Sequence, residues 1–132
     1  MRVRGMWAAM VMCLVALPAC GGGGGGSSSS PPCPSGGSPR AAVNGEVTIC
    51  AFDIRFDTKE ITAPAGALKI TLINKGSIRH TFTMKDPELN IVTPGKNDVA
   101  SGAVTLAKGE YKYECTEDAH AGAGMTGKIV VS

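Results

Sequence analysis

The chain has 132 residues, which leaves room for one domain together with short targeting and linker segments. Lysine and arginine number 13 and aspartate and glutamate 11, and two of the basic residues, Arg2 and Arg4, fall in a predicted leader. The rest of the chain is close to neutral, with both signs mixed along it. This distribution excludes a nucleic-acid-binding protein, because such a protein needs a basic patch.

The first 19 residues have the pattern of an export signal. Arg2 and Arg4 precede an apolar run, Met6–Leu17, which is shorter than the roughly 20 residues that a membrane-spanning helix needs. The sequence Leu-Pro-Ala-Cys at 17–20 resembles a bacterial lipobox. We therefore predict lipidation of Cys20 and anchoring at the outer face of the cytoplasmic membrane. The alternative is an ordinary signal peptide cleaved after Ala19.

Residues 20–41 form a predicted tether. They begin with Cys20, six glycines and four serines and continue with a run rich in proline, serine and glycine. No apolar periodicity is present, so this segment is expected to be flexible. Its Cys33 has two interpretations: it pairs with Cys50 in an oxidising compartment, or Cys50 is a free thiol buried on an apolar face. The sequence leaves both open.

Residues 42–132 are predicted to form the folded domain. Short β-type runs separated by glycine and proline turns favour an all-β, antiparallel Greek-key β-sandwich, and no helical periodicity follows the signal. Lys85–Asp98, which contains two prolines, is predicted to be irregular. His80 shares strand parity with Phe82 and Met84, so its side chain should face the interior. The predicted strands are Val47–Phe56, Ala67–Asn74, Ile78–Met84, Ala103–Leu106, Tyr111–Cys115 and Thr126–Val131.

The last quarter of the chain carries Cys115, His120 and Met125 in one glycine-rich run, and His80 lies upstream. One thiolate, two imidazoles and one thioether form the ligand set of a blue-copper centre. Taken singly, each residue has an ordinary structural explanation as a core side chain. Taken together, the four favour a site for one copper ion per chain that alternates between Cu(I) and Cu(II).

These residues resemble the cupredoxins, the small blue-copper electron carriers. Gly-Glu-Tyr-Lys-Tyr-Glu-Cys at 109–115, followed by His-Ala-Gly-Ala-Gly-Met at 120–125, is similar to a plastocyanin segment, and the Cys-x4-His-x4-Met spacing is similar to that of auracyanin. Asn74-x-Gly76-x3-His80 resembles the strand that carries the first histidine. The resemblance implies that Met125 is a weak axial ligand. Thr81 stands where plastocyanin has an asparagine that ties the ligand loops, and we expect Thr81 to form a similar hydrogen bond.

The resulting hypothesis is a monomeric, membrane-tethered protein that shuttles single electrons between a redox donor and a redox acceptor protein. It is not predicted to be an enzyme, since no histidine remains for a second metal site. The edge of His120, flanked by small residues at 119–124, is the predicted electron port. Two alternatives are a copper-binding lipoprotein for delivery or storage and a metal-free sandwich that binds a partner protein. The sequence does not identify the donor or the acceptor.

Overall fold

The computed structural model describes residues 31–35 and 37–132. The predicted signal peptide and the lipidation site Cys20 lie outside these residues. Within them, no helix is long and apolar enough to cross a membrane. The described part of the chain forms ten strands: β1 Arg40–Ala41, β2 Glu46–Phe52, β3 Arg55–Phe56, β4 Glu60–Ala63, β5 Gly66–Asn74, β6 His80–Lys85, β7 Glu88–Thr93, β8 Val99–Leu106, β9 Gly109–Glu114 and β10 Thr126–Val131.

The strands form two sheets, which confirms the predicted β-sandwich. A six-stranded sheet has the order β1-β4-β10-β9-β6-β7, and a four-stranded sheet has the order β3-β2-β5-β8. Three pairings are parallel, namely β1 with β4, β4 with β10, and β2 with β5. Both sheets are therefore mixed rather than purely antiparallel. The parallel neighbours arise because the chain crosses to the other sheet before it returns, as it does through β4 between β2 and β5.

Several predicted boundaries differ from the structure: β8 begins at Val99 and not at Ala103, β6 spans His80–Lys85 and not Ile78–Met84, and β4 was not predicted. The run Val47–Phe56 is divided by a hairpin turn, since β2 ends at Phe52 and β3 begins at Arg55. The segment Lys85–Asp98, predicted to be irregular, contains β7, which pairs with β6 along its whole length. Its prolines lie in the flanking turns, so they do not interrupt the pairing.

The core lies between the two sheets and includes an aromatic cluster. The Phe82 and Tyr113 rings stack with centroids 4.4 Å apart, and Phe56 meets them edge-on at 6.1 and 5.4 Å. The Tyr113 hydroxyl donates a 2.9 Å hydrogen bond to the carbonyl oxygen of Thr58. Burial raises the pKa of Tyr113 well above its usual value, so the hydroxyl stays protonated. Through Tyr113 this cluster holds β9, the strand that leads to Cys115.

A disulfide joins Cys33 to Cys50 on β2, with the two Cα atoms 5.9 Å apart. This decides between the two interpretations of these cysteines in favour of the disulfide, which fits an exported protein. Nearby, Arg40 and Asp57 form a 2.7 Å ion pair, and the Asp57 carboxylate also accepts the Cys50 amide at 3.0 Å. The segment before β2 is thus fastened to the sandwich at several points.

Candidate metal centre

Two neighbouring strands bring the first two predicted ligands together. His80 is the first residue of β6, and Cys115 directly follows the last residue of β9. These strands pair in antiparallel fashion through Thr83 and Glu114, so the start of one lies beside the end of the other. Both side chains are fully buried. The parity argument for an inward-facing His80 is confirmed.

The donor atoms converge on one small volume. Cys115 Sγ lies 3.4 Å from His120 Nδ1 and 4.0 Å from His80 Nδ1. All three ligand atoms lie within 4.8 Å of one another, and the two imidazole rings have centroids 5.3 Å apart. The His120 residue is 9% exposed to solvent, whereas His80 is fully buried. The site is therefore closed on the His80 side and reaches the surface at the His120 side.

The loop after β9 is held by its own backbone. The Cys115 amide donates to the Met125 carbonyl at 3.0 Å, and the Met125 amide donates to the His120 carbonyl at 3.0 Å. The chain can turn this tightly because Ala119 and Gly124 adopt positive φ angles of 64° and 97°, a conformation that only glycine adopts without steric cost. Met125 is fully buried. The loop thereby places the predicted axial residue beside the backbone of the other two predicted ligands.

Thr81 connects the two ligand-bearing segments. Its amide donates to Cys115 Sγ at 3.4 Å, and its hydroxyl oxygen accepts the Thr116 amide at 2.8 Å. The Thr81 and Thr116 hydroxyl groups also lie 3.0 Å apart. The expectation that Thr81 ties the ligand loops together is confirmed, and the side chain serves as an acceptor as well as a possible donor. These bonds orient the thiolate from outside the donor set.

Sequence reasoning missed the supports behind His80. The Asn74 amide group donates to the carbonyls of Ile78 and Thr93 at 2.7 and 3.2 Å, and its oxygen accepts the Gly76 amide at 2.9 Å. These bonds fix the turn that leads into β6. The motif Asn74-x-Gly76 was the available signal, but its hydrogen bonds follow from the turn conformation and not from strand periodicity.

The electrostatic environment favours neutral imidazole at His80. Burial lowers its pKa, and the neighbouring His120 acts in the same direction. A neutral imidazole offers the lone pair that a metal needs. Two imidazoles and one buried cysteine sulfur make a donor set that suits copper. The residues present therefore fit a copper ion.

A sequence profile described as a cupredoxin-like domain matches residues 26–131. The chain belongs to the cupredoxin-like family. No curated protein matches this cupredoxin in sequence. Its structure is similar to that of auracyanin from Roseiflexus castenholzii, with 19% sequence identity and a TM-score of 0.58; the match covers 69% of this chain and 99% of that one. It is also similar to that of auracyanin A, a "blue" copper protein from Chloroflexus aurantiacus, with 20% sequence identity and a TM-score of 0.58; this match covers 66% of this chain and 98% of that one.

A third similar structure is a reduced amicyanin variant, with 23% identity and a TM-score of 0.50 over 69% of this chain and 86% of that one. At these identities the structural likeness establishes the fold of this cupredoxin. The roles of His80, Cys115, His120 and Met125 as ligands remain predictions. The geometry brings the donor atoms of the first three together and buries the fourth beside them.

Proposed function

We propose that this cupredoxin is a mononuclear type 1 copper protein that carries single electrons between larger redox proteins. Cys115, His80 and His120 would hold the metal, and Met125 would be its weak axial ligand. The convergence of Cys115 Sγ with both Nδ1 atoms carries this proposal. Copper, when bound there, takes up and releases one electron.

The protein contributes a rigid, dry site. His80 and Cys115 are fixed on adjacent strands, and the ligand loop is closed by backbone hydrogen bonds. Ligands held in this way change position little when the charge of the metal changes, so little reorganisation opposes electron transfer. The Thr81 amide adds a hydrogen bond to the Cys115 sulfur, which would orient this sulfur toward the metal.

The electron port is proposed to be the edge of His120. This ring is the partly exposed ligand, and the neighbouring Gly122 and Ala123 are exposed and small. These small residues leave room for a partner to approach this edge of the ring closely. Close, weak docking suits a carrier that must release its partner quickly.

Export and tethering complete the proposal. The Cys33–Cys50 disulfide supports an oxidising compartment, and lipidation of Cys20 would retain the protein at the outer face of the cytoplasmic membrane. Fractionation of cells that express the wild-type chain or the Cys20→Ser variant tests the anchor. The wild-type protein should sediment with membranes and the variant should not. Equal release of both into the soluble fraction would refute the anchor without affecting the copper site.

The copper assignment is tested by titrating the purified protein with Cu(II) and recording its visible spectrum. An intense thiolate-to-copper band that saturates at about one copper per chain and disappears on reduction is expected. The matched control is Cys115→Ala, which should lose the band while its circular dichroism remains that of the sandwich. A colourless wild-type protein, or a variant that keeps the band, would overturn the assignment. Transfer of copper to an acceptor without electron exchange would favour the delivery alternative.

A further inference from the structure

His80 presents one ring nitrogen to the copper site and the other to the protein. Its Nδ1 faces Cys115 Sγ at 4.0 Å. Its Nε2 is buried and has no hydrogen-bond partner among the described residues. When Nδ1 binds a metal, the proton of the neutral ring resides on Nε2, which then becomes a donor. A buried donor without an acceptor is unfavourable, so a partner for this N–H is expected.

Gly76 marks the space next to this nitrogen. A Cβ atom at Gly76 would lie 2.8 Å from His80 Nε2 and 2.6 Å from Asp53 Oδ1. The imidazole nitrogen and the carboxylate oxygen therefore face the same small gap from two sides. Gly76 does not have a positive φ angle. A glycine is thus required here by the close approach of these two groups and not by its own backbone conformation.

Other oxygens near Gly76 already accept hydrogen bonds. Asn74 Oδ1 accepts the Gly76 amide at 2.9 Å. The Ala51 carbonyl accepts the amides of Lys75 and Gly76 at 2.7 and 3.2 Å. Asp53 Oδ1 accepts from the Ser77 amide at 2.8 Å and from its hydroxyl at 3.2 Å. A carboxylate has about four lone-pair sites, so Asp53 can accept about two more bonds and is an acceptor with spare capacity beside Nε2.

The hairpin turn between β2 and β3 holds Asp53 in this position. Its second residue, Ile54, has a φ angle of 58°, which is a strained conformation for a β-branched side chain. The turn is also joined to the segment before β6 by the two bonds between Asp53 and Ser77. The hydrogen bond donated by the backbone amide of Ser77 is the main reason that the pKa of Asp53 is lowered. The carboxylate is therefore ionised at neutral pH.

We infer that Asp53 is a positioning residue for the copper centre, whose carboxylate accepts the His80 Nε2–H directly or through one water. This inference rests on the proposed copper function. The bond would fix the ring with Nδ1 directed at the metal, as carboxylates do behind metal-bound histidines. The negative charge would also stabilise Cu(II) relative to Cu(I) and so lower the reduction potential.

The test compares the Asp53→Asn and Glu88→Gln variants of the copper-loaded protein. In Asp53→Asn the new side chain keeps an oxygen for the Ser77 bonds but has no charge. Glu88 is exposed at the start of β7, where it pairs with Lys85 at the end of β6 opposite to His80, so its variant makes the same change of charge away from the copper. We expect Asp53→Asn to raise the reduction potential above that of the control and to weaken Cu(II) binding by about tenfold, while the blue band is retained.

Two further measurements separate this role from a purely structural one. In the Cu(I) form, the His80 Nε2 proton should give a hydrogen-bonded, slowly exchanging NMR signal that changes in Asp53→Asn and not in Glu88→Gln. Thermal unfolding of the metal-free variants should be alike. Equal potentials and an unchanged Nε2 proton in both variants would overturn the role of Asp53. A wild-type protein without a blue band would instead overturn the proposed function.

Discussion

The backbone amide of Thr81 donates a hydrogen bond to the sulfur of Cys115 over 3.4 Å. Thr81 follows His80 directly, so the residue next to one proposed ligand bonds the donor atom of another. An amide dipole directed at the thiolate withdraws electron density from it. Such bonds tune the potential of a copper–thiolate site. The position of β6 relative to β9 therefore affects both the geometry and the electronics of the centre.

The Thr81 side chain should also stabilise the ligand loop. Thr81→Ala removes the acceptor of the Thr116 amide, and we expect the free energy of unfolding of the metal-free protein to fall by about 1–2 kcal/mol. Urea denaturation measures this change. Thr105, exposed on β8, provides the control variant Thr105→Ala, which should change stability by about 0.5 kcal/mol or less. Equal losses in the two variants would contradict a connecting role for Thr81.

Replacement of Met125 should alter the potential more than the occupancy. Met125→Leu keeps a buried apolar side chain of similar volume but removes a weak donor that favours the oxidised metal. We expect copper to remain bound and the reduction potential to rise. Protein-film voltammetry and the copper content measure the two effects. A lowered potential would be inconsistent with an axial thioether.

Gly76 should not tolerate a side chain. In Gly76→Ala the new methyl group would lie too close to His80 Nε2 and to Asp53, at 2.8 and 2.6 Å, so the imidazole has to move. We expect weaker copper binding by about tenfold or more. In the control Gly95→Ala the methyl group meets only Asp98, at an ordinary 3.6 Å. Competition with a copper chelator measures both affinities, and similar values would argue against close packing at Gly76.

Tyr113 should make the protein sensitive to alkali. Its pKa is raised in the folded state, whereas in the unfolded chain it ionises at about pH 10. The unfolded state alone loses this proton as the pH rises above about 10, so stability is full below that pH and declines above it. Urea denaturation across this range should show the decline in the wild-type protein and a smaller decline in Tyr113→Phe.

The same variant should be less stable at neutral pH by about 1–2 kcal/mol, because the Thr58 carbonyl loses its donor. Tyr111→Phe is the matched control, since the Tyr111 hydroxyl bonds the Ala107 carbonyl in an exposed position. It should retain the alkaline decline. An identical pH profile in Tyr113→Phe and wild type would assign the decline to other groups.

A charge near His120 should alter electron exchange with a small anionic oxidant such as ferricyanide. Ala123 is exposed in the ligand loop. We expect Ala123→Glu to slow oxidation of the Cu(I) protein and Ala123→Lys to accelerate it, each by roughly fivefold or more, since two unit charges at contact distance in water interact by about 1 kcal/mol and ferricyanide carries three. The control is Ala103→Glu on β8, also exposed. If Ala103→Glu changes the stopped-flow rate as much as Ala123→Glu, His120 is not the port.

The proposed ligands could be predicted from the sequence because three of them lie in one short run, and strand parity predicts that the fourth, His80, faces the interior. The position of Asp53 beside His80 could not be predicted from the sequence. It depends on a hairpin turn whose second residue is Ile54, whereas a glycine or asparagine is usual at a positive φ angle. Strand β7 was missed because Pro87 and Pro94 suggested an irregular segment. The parallel pairings were missed because residue alternation defines a strand's faces and not its neighbour.

The convergent donors also determine which ions can compete for the site. Hydrogen bonds within the chain hold Cys115 and the ligand loop, and a thiolate with two imidazoles is also a good site for Zn(II), which neither changes oxidation state nor gives colour. A zinc-bound molecule would be folded and redox-silent. The number of electrons that a population of this protein carries would therefore depend on the copper supply of its compartment as well as on the protein itself.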